Sequence, residues 1–305
     1  MKLIYEGIDI TNSVDINRAE FIDNAGNLPD SIELAFNDIE GSWSKWKPEK
    51  NHKISVSQEK LSTGIMYIDE IEQQKGMFII RALSIPQDAK TQHTQAWESV
   101  RFLEFASEIA SRYGFELQTY SIENYLYNRV DQFEQADFSF LAWRCLLEGY
   151  CLKITDNKVI IYSEQYLERL EVGKTISIDS FDGYFKFLSK STDIYNSCQL
   201  NYGDIESSFL PLVHVYGSIL KYNDMYISSH EEGNRFAKNL LRSKNKYENT
   251  GVFSIKSDTE LTAGSNIGIS GVGLADGKYF CEQVRHNFID GGKAAFKIRK
   301  PLEGY

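Results

Sequence analysis

Ile32-Glu33-Leu34-Ala35-Phe36 decides the first reading. Ile32, Leu34 and Phe36 fall on every second position, which sends them to one face of an extended strand and their neighbours to the other. The same period recurs at Ile54 and Val56, at Met66 and Ile68, and at Phe78 and Ile80. Asn24-Ala25-Gly26-Asn27 and Gln73-Gln74-Lys75-Gly76 separate such runs with turn-forming residues. Short strands spaced by turns over residues 1–92 predict a first β unit, a barrel or a sandwich.

The period changes near Pro86. Over residues 94–113, Trp97, Val100, Phe105, Ile109 and Tyr113 suit a helix with a wide apolar face, capped by Thr94 and ended by Gly114. A second helix is expected from Asp137 to Gly149, followed by a hairpin of Tyr150 to Thr155 and Val159 to Tyr162 around Asp156-Asn157. Residues 93–172 thus read as a small α/β domain. Alternation returns after Gly173, with strands expected at Tyr195 to Tyr202, Leu212 to Leu220, Val252 to Lys256, Ile267 to Ser270, Tyr279 to Phe288 and Ala294 to Arg299. Asp290-Gly291-Gly292 marks the turn before the last of these. A helix near 230–246 interrupts this second β unit, 173–305, with Ser229 and Glu232 as a capping box. The expected class is α+β, mainly β, with two barrel-like units flanking a small α/β domain. No sequence repeat links the first and last units.

The 305 residues and 42% hydrophobic content fit two or three ordinary cores. Acidic residues outnumber basic ones 43 to 33, for a net charge of −10, which argues against non-specific nucleic-acid binding. An acidic wall would suit a channel to which nucleic acid does not stick, although solubility alone explains the charge. Cys145, Cys151, Cys198 and Cys281 form no C-x-x-C pair and read as small core residues of a reducing compartment. Met1-Lys2-Leu3-Ile4-Tyr5-Glu6 turns polar too early for a signal peptide, and no apolar run reaches the ~20 residues of a membrane span. Synthesis and folding in the cytoplasm are expected.

No catalytic constellation emerges. Gly271-Val272-Gly273 with Gly277 has the wrong spacing for a dinucleotide loop and precedes a strand, so it reads as a turn. His52, His93, His214, His230 and His286 lack metal-ligand spacing. Asp69-Glu70 with Glu72, Asp38 with Glu40, and Glu231-Glu232 are carboxylate pairs of the kind chance supplies among 43 acids. Trp43 and Trp46 offer either a sugar-stacking platform or packing and interface residues, and the second reading is preferred. No catalytic, cofactor-binding or metal-binding residue is assigned, and no cofactor is expected.

Several segments, in order, resemble the late control protein D family, the tail hubs of contractile phages and phage-tail-like particles. They are Leu34-Ala35-Phe36-Asn37-Asp38 with Trp43, Trp46 and Pro48, then Ile54-Ser55-Val56. Next comes Gly64-Ile65-Met66-Tyr67-Ile68-Asp69-Glu70-Ile71, with Met66 where the family carries Phe, then Gly76 and Ala82 to Pro86. Trp97-Glu98 follows, then Gln132, Asp137, Phe140 and Leu141, then Leu261 to Gly264, Asp276 to Tyr279, Val284-Arg285-His286 and Gly291-Gly292. The resemblance implies a homotrimer with two tail-tube-type domains per chain. Its six-part face would meet a hexameric tail tube protein and its threefold face the central spike protein. It also implies baseplate proteins around the middle domain, the tape measure protein as a further partner, and no membrane insertion. The resemblance adds no spike or lysozyme domain within residues 1–305. A cell-wall-degrading enzyme and a carbohydrate-binding adhesion module of the same particle are the competing readings.

Overall fold

The computed structural model describes residues 1–213, 215–256, 258–289 and 292–305. The chain opens with β1 (Lys2–Tyr5), β2 (Ile8–Asp9), β3 (Asp15–Asn24), β4 (Ser31–Asn37), a short helix α1 (Ser42–Trp46), β5 (Lys53–Gln58), β6 (Leu61–Ser62), β7 (Met66–Gln74) and β8 (Met77–Leu83). The middle holds β9 (Gln92–Arg101), α2 (Phe102–Arg112), β10 (Glu116–Tyr120), β11 (Leu126–Ala136), α3 (Asp137–Glu148), β12 (Tyr150–Thr155), β13 (Lys158–Ser163) and α4 (Glu164–Arg169). Then come β14 (Lys174–Ser177), β15 (Lys186–Ser189), β16 (Tyr195–Tyr202), β17 (Ile205–Phe209), β18 (Ser218–Asn223), α5 (His230–Asn245), β19 (Asn249–Lys256), β20 (Asn266–Ser270), β21 (Gly277–Asn287) and β22 (Lys293–Arg299). The fold is α+β and mainly β.

The first and last β units, far apart in sequence, share one sheet. Its main path runs β15-β19-β22-β21-β3-β4-β8-β7 and on through β5, β1 and β2, and every adjacent pair is antiparallel. The joint between the units is β21 against β3, with His286 opposite Phe21 and Arg285 opposite Ile22. Each half has its own core. Ile32, Leu34, Phe36, Ile54, Val56, Met66, Ile68, Phe78 and Ile80, the alternating residues of the sequence, close the first. Phe253, Ile267, Ile269, Val284, Phe296 and Ile298 close the second.

The two halves repeat one topology. Numbered in chain order, β3, β4, β7 and β8 lie 1-2-4-3 across the sheet, and β15, β19, β21 and β22 lie 1-2-4-3 as well. The third strand of each carries a bulge at the same place. Ile68 pairs with Ala82 and Glu70 with Arg81; Cys281 pairs with Ile298 and Gln283 with Lys297. In each case one residue of the third strand is skipped, which tightens the local twist.

Three expectations are corrected. Residues 94–101 of the expected helix 94–113 belong to strand β9, and only Phe102–Arg112 is helical. Trp97 and Val100 are buried because β9 pairs with β11, and Ser99 between them adopts φ 49°. The helix then starts at Arg101, whose N–H donates to the Glu104 carboxylate at 2.7 Å, rather than at Thr94. Among the described residues of the strand expected from Leu212 to Leu220, only those from Ser218 onward form a strand, which runs on to Asn223. Pro211 cannot donate to a ladder, and Gly217 takes φ +146° against the Ile194 carbonyl. His214 lies outside the described residues, as do Asp290 and Gly291 of the expected turn. Finally, α5, expected within the last β unit, joins the core of the middle unit. Phe236 and Leu240 pack there with Phe105 of α2 and Phe140 and Leu141 of α3. Gly149, at φ +75°, allows the end of α3 to approach Asn239 of α5, where an added Cβ would sit 2.6 Å from its side-chain oxygen.

Candidate interaction surfaces and the clamps that position them

The middle unit sits over one end of the main sheet and is held there by buried charge. Lys153 of β12 reaches Asp23 at 2.6 Å, Asp30 at 3.1 Å and the Asn24 carbonyl at 2.7 Å. Asp30 also accepts from the Asn24 N–H, and Asp23 from the Ala263 N–H. Burial pushes the Asp30 carboxyl up to about 6, Asp23 adds to that, and Lys153 opposes it. Burial alone would discharge Lys153, but Asp23 and Asp30 outweigh it and keep the ammonium charged. Beside this clamp, Asn27 donates its N–H to the Leu152 carbonyl at 2.6 Å, so the loop after β3 adds to the edge of β12.

A second clamp joins α4 and α5 to the other half of the sheet. Arg299, fully buried at the end of β22, meets Glu168 at 2.6 Å, Glu164 at 3.1 Å and Glu282 of β21 through Nε. Lys246 meets Glu164 at 2.6 Å, and Arg242 meets Glu168 at 3.0 Å. Three acids face three bases, so the cluster carries little net charge while each member depends on the others. Burial pushes Glu164 upward, but Lys246, Arg299 and Arg242 outweigh it and hold the carboxyl well below its usual range.

Strand directions alternate, so the end of β3, the start of β4, the start of β7 and the end of β22 lie at one rim of the sheet. Both clamps and the 2.7 Å bond from Tyr67 Oη to Asn157 bind that rim to the middle unit. Gly64, at φ +63°, lets the backbone come against Asp156 of the β12–β13 turn.

The expected residues are placed as follows. Trp43 is 1% exposed, stacked on Phe78 at 5.4 Å and against Phe36 at 4.6 Å. Trp46 meets it edge-on at 5.2 Å and is 40% exposed, so the two indoles do not form a shared open platform. Asp69 accepts from Gln87 and pairs with Lys90; burial raises its carboxyl, but these contacts hold it below the usual value. Glu70 and Glu72 pair with Arg81 at 2.8 and 3.4 Å. Asp38 caps the Trp43 N–H at 3.3 Å, and Glu232 accepts from the N–H and hydroxyl of Ser228 while Ser229 caps α5. Asp276 accepts from the N–H groups of Gly271 and Val272, which makes the Gly-rich stretch a turn between β20 and β21. His286 is buried on Phe21, and desolvation lowers the pKa of its imidazole against the opposing charges of Asp23 and Asp258. The four cysteines are buried and unbonded. Among the described residues no group of three or more His, Cys, Asp or Glu is placed to hold a metal, and no helix is long and apolar enough to cross a membrane.

One cleft of about 430 Å³ lies beside the second clamp, under the loop around Leu28. Its Glu164 and Lys246 are paired with each other, and its Glu282 with Arg299. Of its charged lining residues, Glu164, Lys246 and Glu282 already serve the clamp, and Lys297 does not.

Two strand edges were not singled out by sequence reasoning. On its outer side β7 pairs with β5 only at Tyr67 and Met66. From Glu70 to Gln74 that edge has no backbone partner among the described residues. At the other end of the sheet, β15 pairs, among the described residues, only with β19. Tyr184, Phe185 and Leu188, on and just before β15, are exposed. An unpaired edge beside exposed apolar side chains marks a place where another chain can add.

No family model matches the chain, and no curated protein matches it. Solved structures do match. A prophage MuSo2 tail protein from Shewanella oneidensis aligns over 97% of this chain and 97% of its own, with a TM-score of 0.74 at 9% identity. A tail protein from Neisseria meningitidis MC58 aligns over 98% and 95%, with a TM-score of 0.76 at 10% identity. An Escherichia coli component of the type VI secretion system, described as similar to bacteriophage T4 tail proteins, aligns over 100% and 78%, with a TM-score of 0.66 at 11% identity. The chain has the fold of phage tail and baseplate proteins.

Proposed function

We propose that this chain is the structural hub of a contractile tail baseplate: a trimeric ring that adapts a hexameric tail tube to a trimeric central spike, with no catalytic role. One observation carries the reading. Two four-strand halves of one topology stand side by side in a single antiparallel sheet. Three copies of two halves give six similar units while the chain itself repeats three times. A ring so built meets a sixfold partner on one rim and a threefold partner on the other. The two halves also have outermost strands, β15 and β7, of opposite direction, so copies can follow one another and keep the alternation.

The near full-length likeness to tail proteins supports the same reading. By chain segment, residues 1–92 and 173–305 would be the two hub domains and 93–172 the α/β domain, with β16 to α5 recruited to the latter's core. With the middle unit clamped over one rim, the opposite rim is the open one, and we assign it to the tube. The spike, baseplate proteins and tape measure protein are the other expected partners. The chain would be made in the bacterial cytoplasm and act in the assembled tail.

Cryo-microscopy of isolated tail tips tests this. Three copies in a closed ring between tube and spike are expected, and six copies, or a single unringed chain, would overturn it. A cell-wall zymogram checks the absence of catalysis: no cleared band is expected from the purified chain.

A further inference from the structure

The joint between β21 and β3 is a joint between two halves of like topology, and it sits inside the chain. It joins the third strand of one half to the first strand of the other. The unpaired edges belong to the same two kinds of strand: β7 is the third of its half and β15 the first of its own. We propose that the free β7 edge of one copy pairs with the free β15 edge of a second copy in the register of the β21–β3 joint, with the sign of the charges across it reversed. This rests on the ring reading above and names its interface.

The matching bulges fix the correspondence. Ile68 stands where Cys281 does, so Glu70 corresponds to Gln283, Ile71 to Val284, Glu72 to Arg285 and Gln74 to Asn287. Through β8 and β22, then β4 and β19, Ala82 corresponds to Ile298 and Ile32 to Gly251. The partners of these last two, Phe21 and Phe187, then coincide, and so do Glu20 and Lys186. Gly251 is needed there: a Cβ on it would come within 2.7 Å of the Phe187 ring.

In the internal joint Arg285 lies opposite Ile22, and Asn287 lies opposite Glu20. Arg285 and Glu20 are thus diagonal neighbours on one face, opposite in sign. Carried to the free edges, the same register sets Glu72 opposite Leu188, Gln74 opposite Lys186, and Glu70 opposite Lys190. Glu72 is then diagonal to both Lys186 and Lys190. Acid has replaced base on the third strand and base has replaced acid on the first, so attraction is kept.

The charges also select the mode of association. Twofold pairing of β7 with β7 would bring Glu70 and Glu72 against their own copies, and β15 with β15 would do the same to Lys186. Like charges across a strand pair are destabilising. Only head-to-tail pairing brings opposite signs together, and a head-to-tail interface closes into a ring when the rotation between copies divides the circle. Direction agrees: β7 and β15 run oppositely within one chain, so the new pair is antiparallel like the rest. Charged edges are also how strands avoid unwanted pairing, and here the two signs leave one permitted partner, a second copy.

The test is a double variant, Glu72→Cys with Leu188→Cys, in the full chain within tail tips. Within one chain these positions lie seven strand spacings apart, roughly 34 Å along the sheet, beyond the ~7 Å reach of a disulfide. The native cysteines are buried. Mild oxidation should give a covalent trimer on a non-reducing gel, while Gln73→Cys with Leu188→Cys, on opposite faces, should not. In the chain without added cysteines, reversing one edge with Glu70→Lys and Glu72→Lys should abolish the trimer by mass, and adding Lys186→Glu and Lys190→Glu should restore it. A trimer by mass that fails to cross-link, or a cross-linked species that stops at two copies, would overturn this joint and leave the ring reading standing. Tail tips that hold no trimer at all would overturn the ring reading itself.

Discussion

Lys153 on β12 and Asp30 at the head of β4 form a 3.1 Å ion pair buried where the middle unit meets the sheet. With Asp23 on the other side of the ammonium, two carboxylates share one cation. Asp30 is the member whose ionisation is disfavoured, and its carboxyl titrates at about 6 instead of 3.8. A carboxyl raised in the folded state binds its proton more tightly there than in the unfolded chain. Its contribution to stability is therefore full below about pH 4 and is lost as pH rises through 6. Asp30→Asn should flatten stability against pH between those values and should cost little at pH 7.5, since the amide oxygen can still accept from Asn24. Urea unfolding across pH checks this, and an unchanged slope between pH 4 and 6 counts against it.

The second clamp has the opposite sign. Glu164 is held below the usual carboxylate range by three cations, so its stabilisation is present above about pH 4.5 and is lost as pH falls. Removing one partner of a buried pair leaves the others uncompensated, typically at ~3–5 kcal/mol. Arg299→Ala should show a loss of that size at pH 7, and Arg299→Met less in packing but a similar loss in charge. Replacing Arg299 and Glu168 together should recover part of it. Thermal unfolding of the double variant, compared with the sum of the singles, measures the coupling.

Strand faces and caps were legible in the sequence because they are local. Ile32, Leu34 and Phe36 announce their strand, and Asp137 and Gly149 bracket α3. The first part of the helix expected over 94–113 failed because Trp97 and Val100 are three apart, a spacing that fits a helix, yet both are buried on a strand with Ser99 between them at φ 49°. Non-local features were hidden. Phe21 and His286 face each other across the joint of the two halves, and nothing near either residue indicates it. The internal repeat is equally invisible in sequence, since Glu72 answers to Arg285 and Glu20 to Lys186. What repeats is strand order and a bulge position, and both can be kept while every outward residue changes. The clamps escaped notice for a related reason: Arg299, Glu164 and Lys246 look like surface charges until three segments bring them together.

Backbone approach at Gly64 gives a sharper local test. At φ +63° a side chain is already strained, and a Cβ would lie 2.7 Å from Asp156. Gly64→Ala should therefore destabilise by more than the ~0.4–1 kcal/mol that replacing a glycine gains where the backbone accepts a side chain. Hydrogen exchange should place the loss in the β12–β13 turn and the start of β7, where Tyr67 bonds to Asn157. A loss confined to β5 and β6 would argue against the contact as the cause.

Trp43 and Trp46 are neighbours that should behave differently. Trp43 is enclosed by Tyr5, Phe36 and Phe78, so truncation opens a large cavity in the first core. Large aromatic-to-alanine changes in such sites cost ~3–5 kcal/mol. Its indole N–H has no hydrogen-bond partner among the described residues, so Trp43→Phe loses volume without stranding a polar group and should cost less. Trp46 shields one edge of Trp43 and is open to solvent on its other side. Trp46→Ala should cost no more than ~1 kcal/mol in the isolated chain, in line with surface positions. Chemical denaturation of the three variants separates these cases. If Trp46→Ala proves as damaging as Trp43→Ala, the second indole belongs to the core and the first β unit is packed differently from the arrangement described.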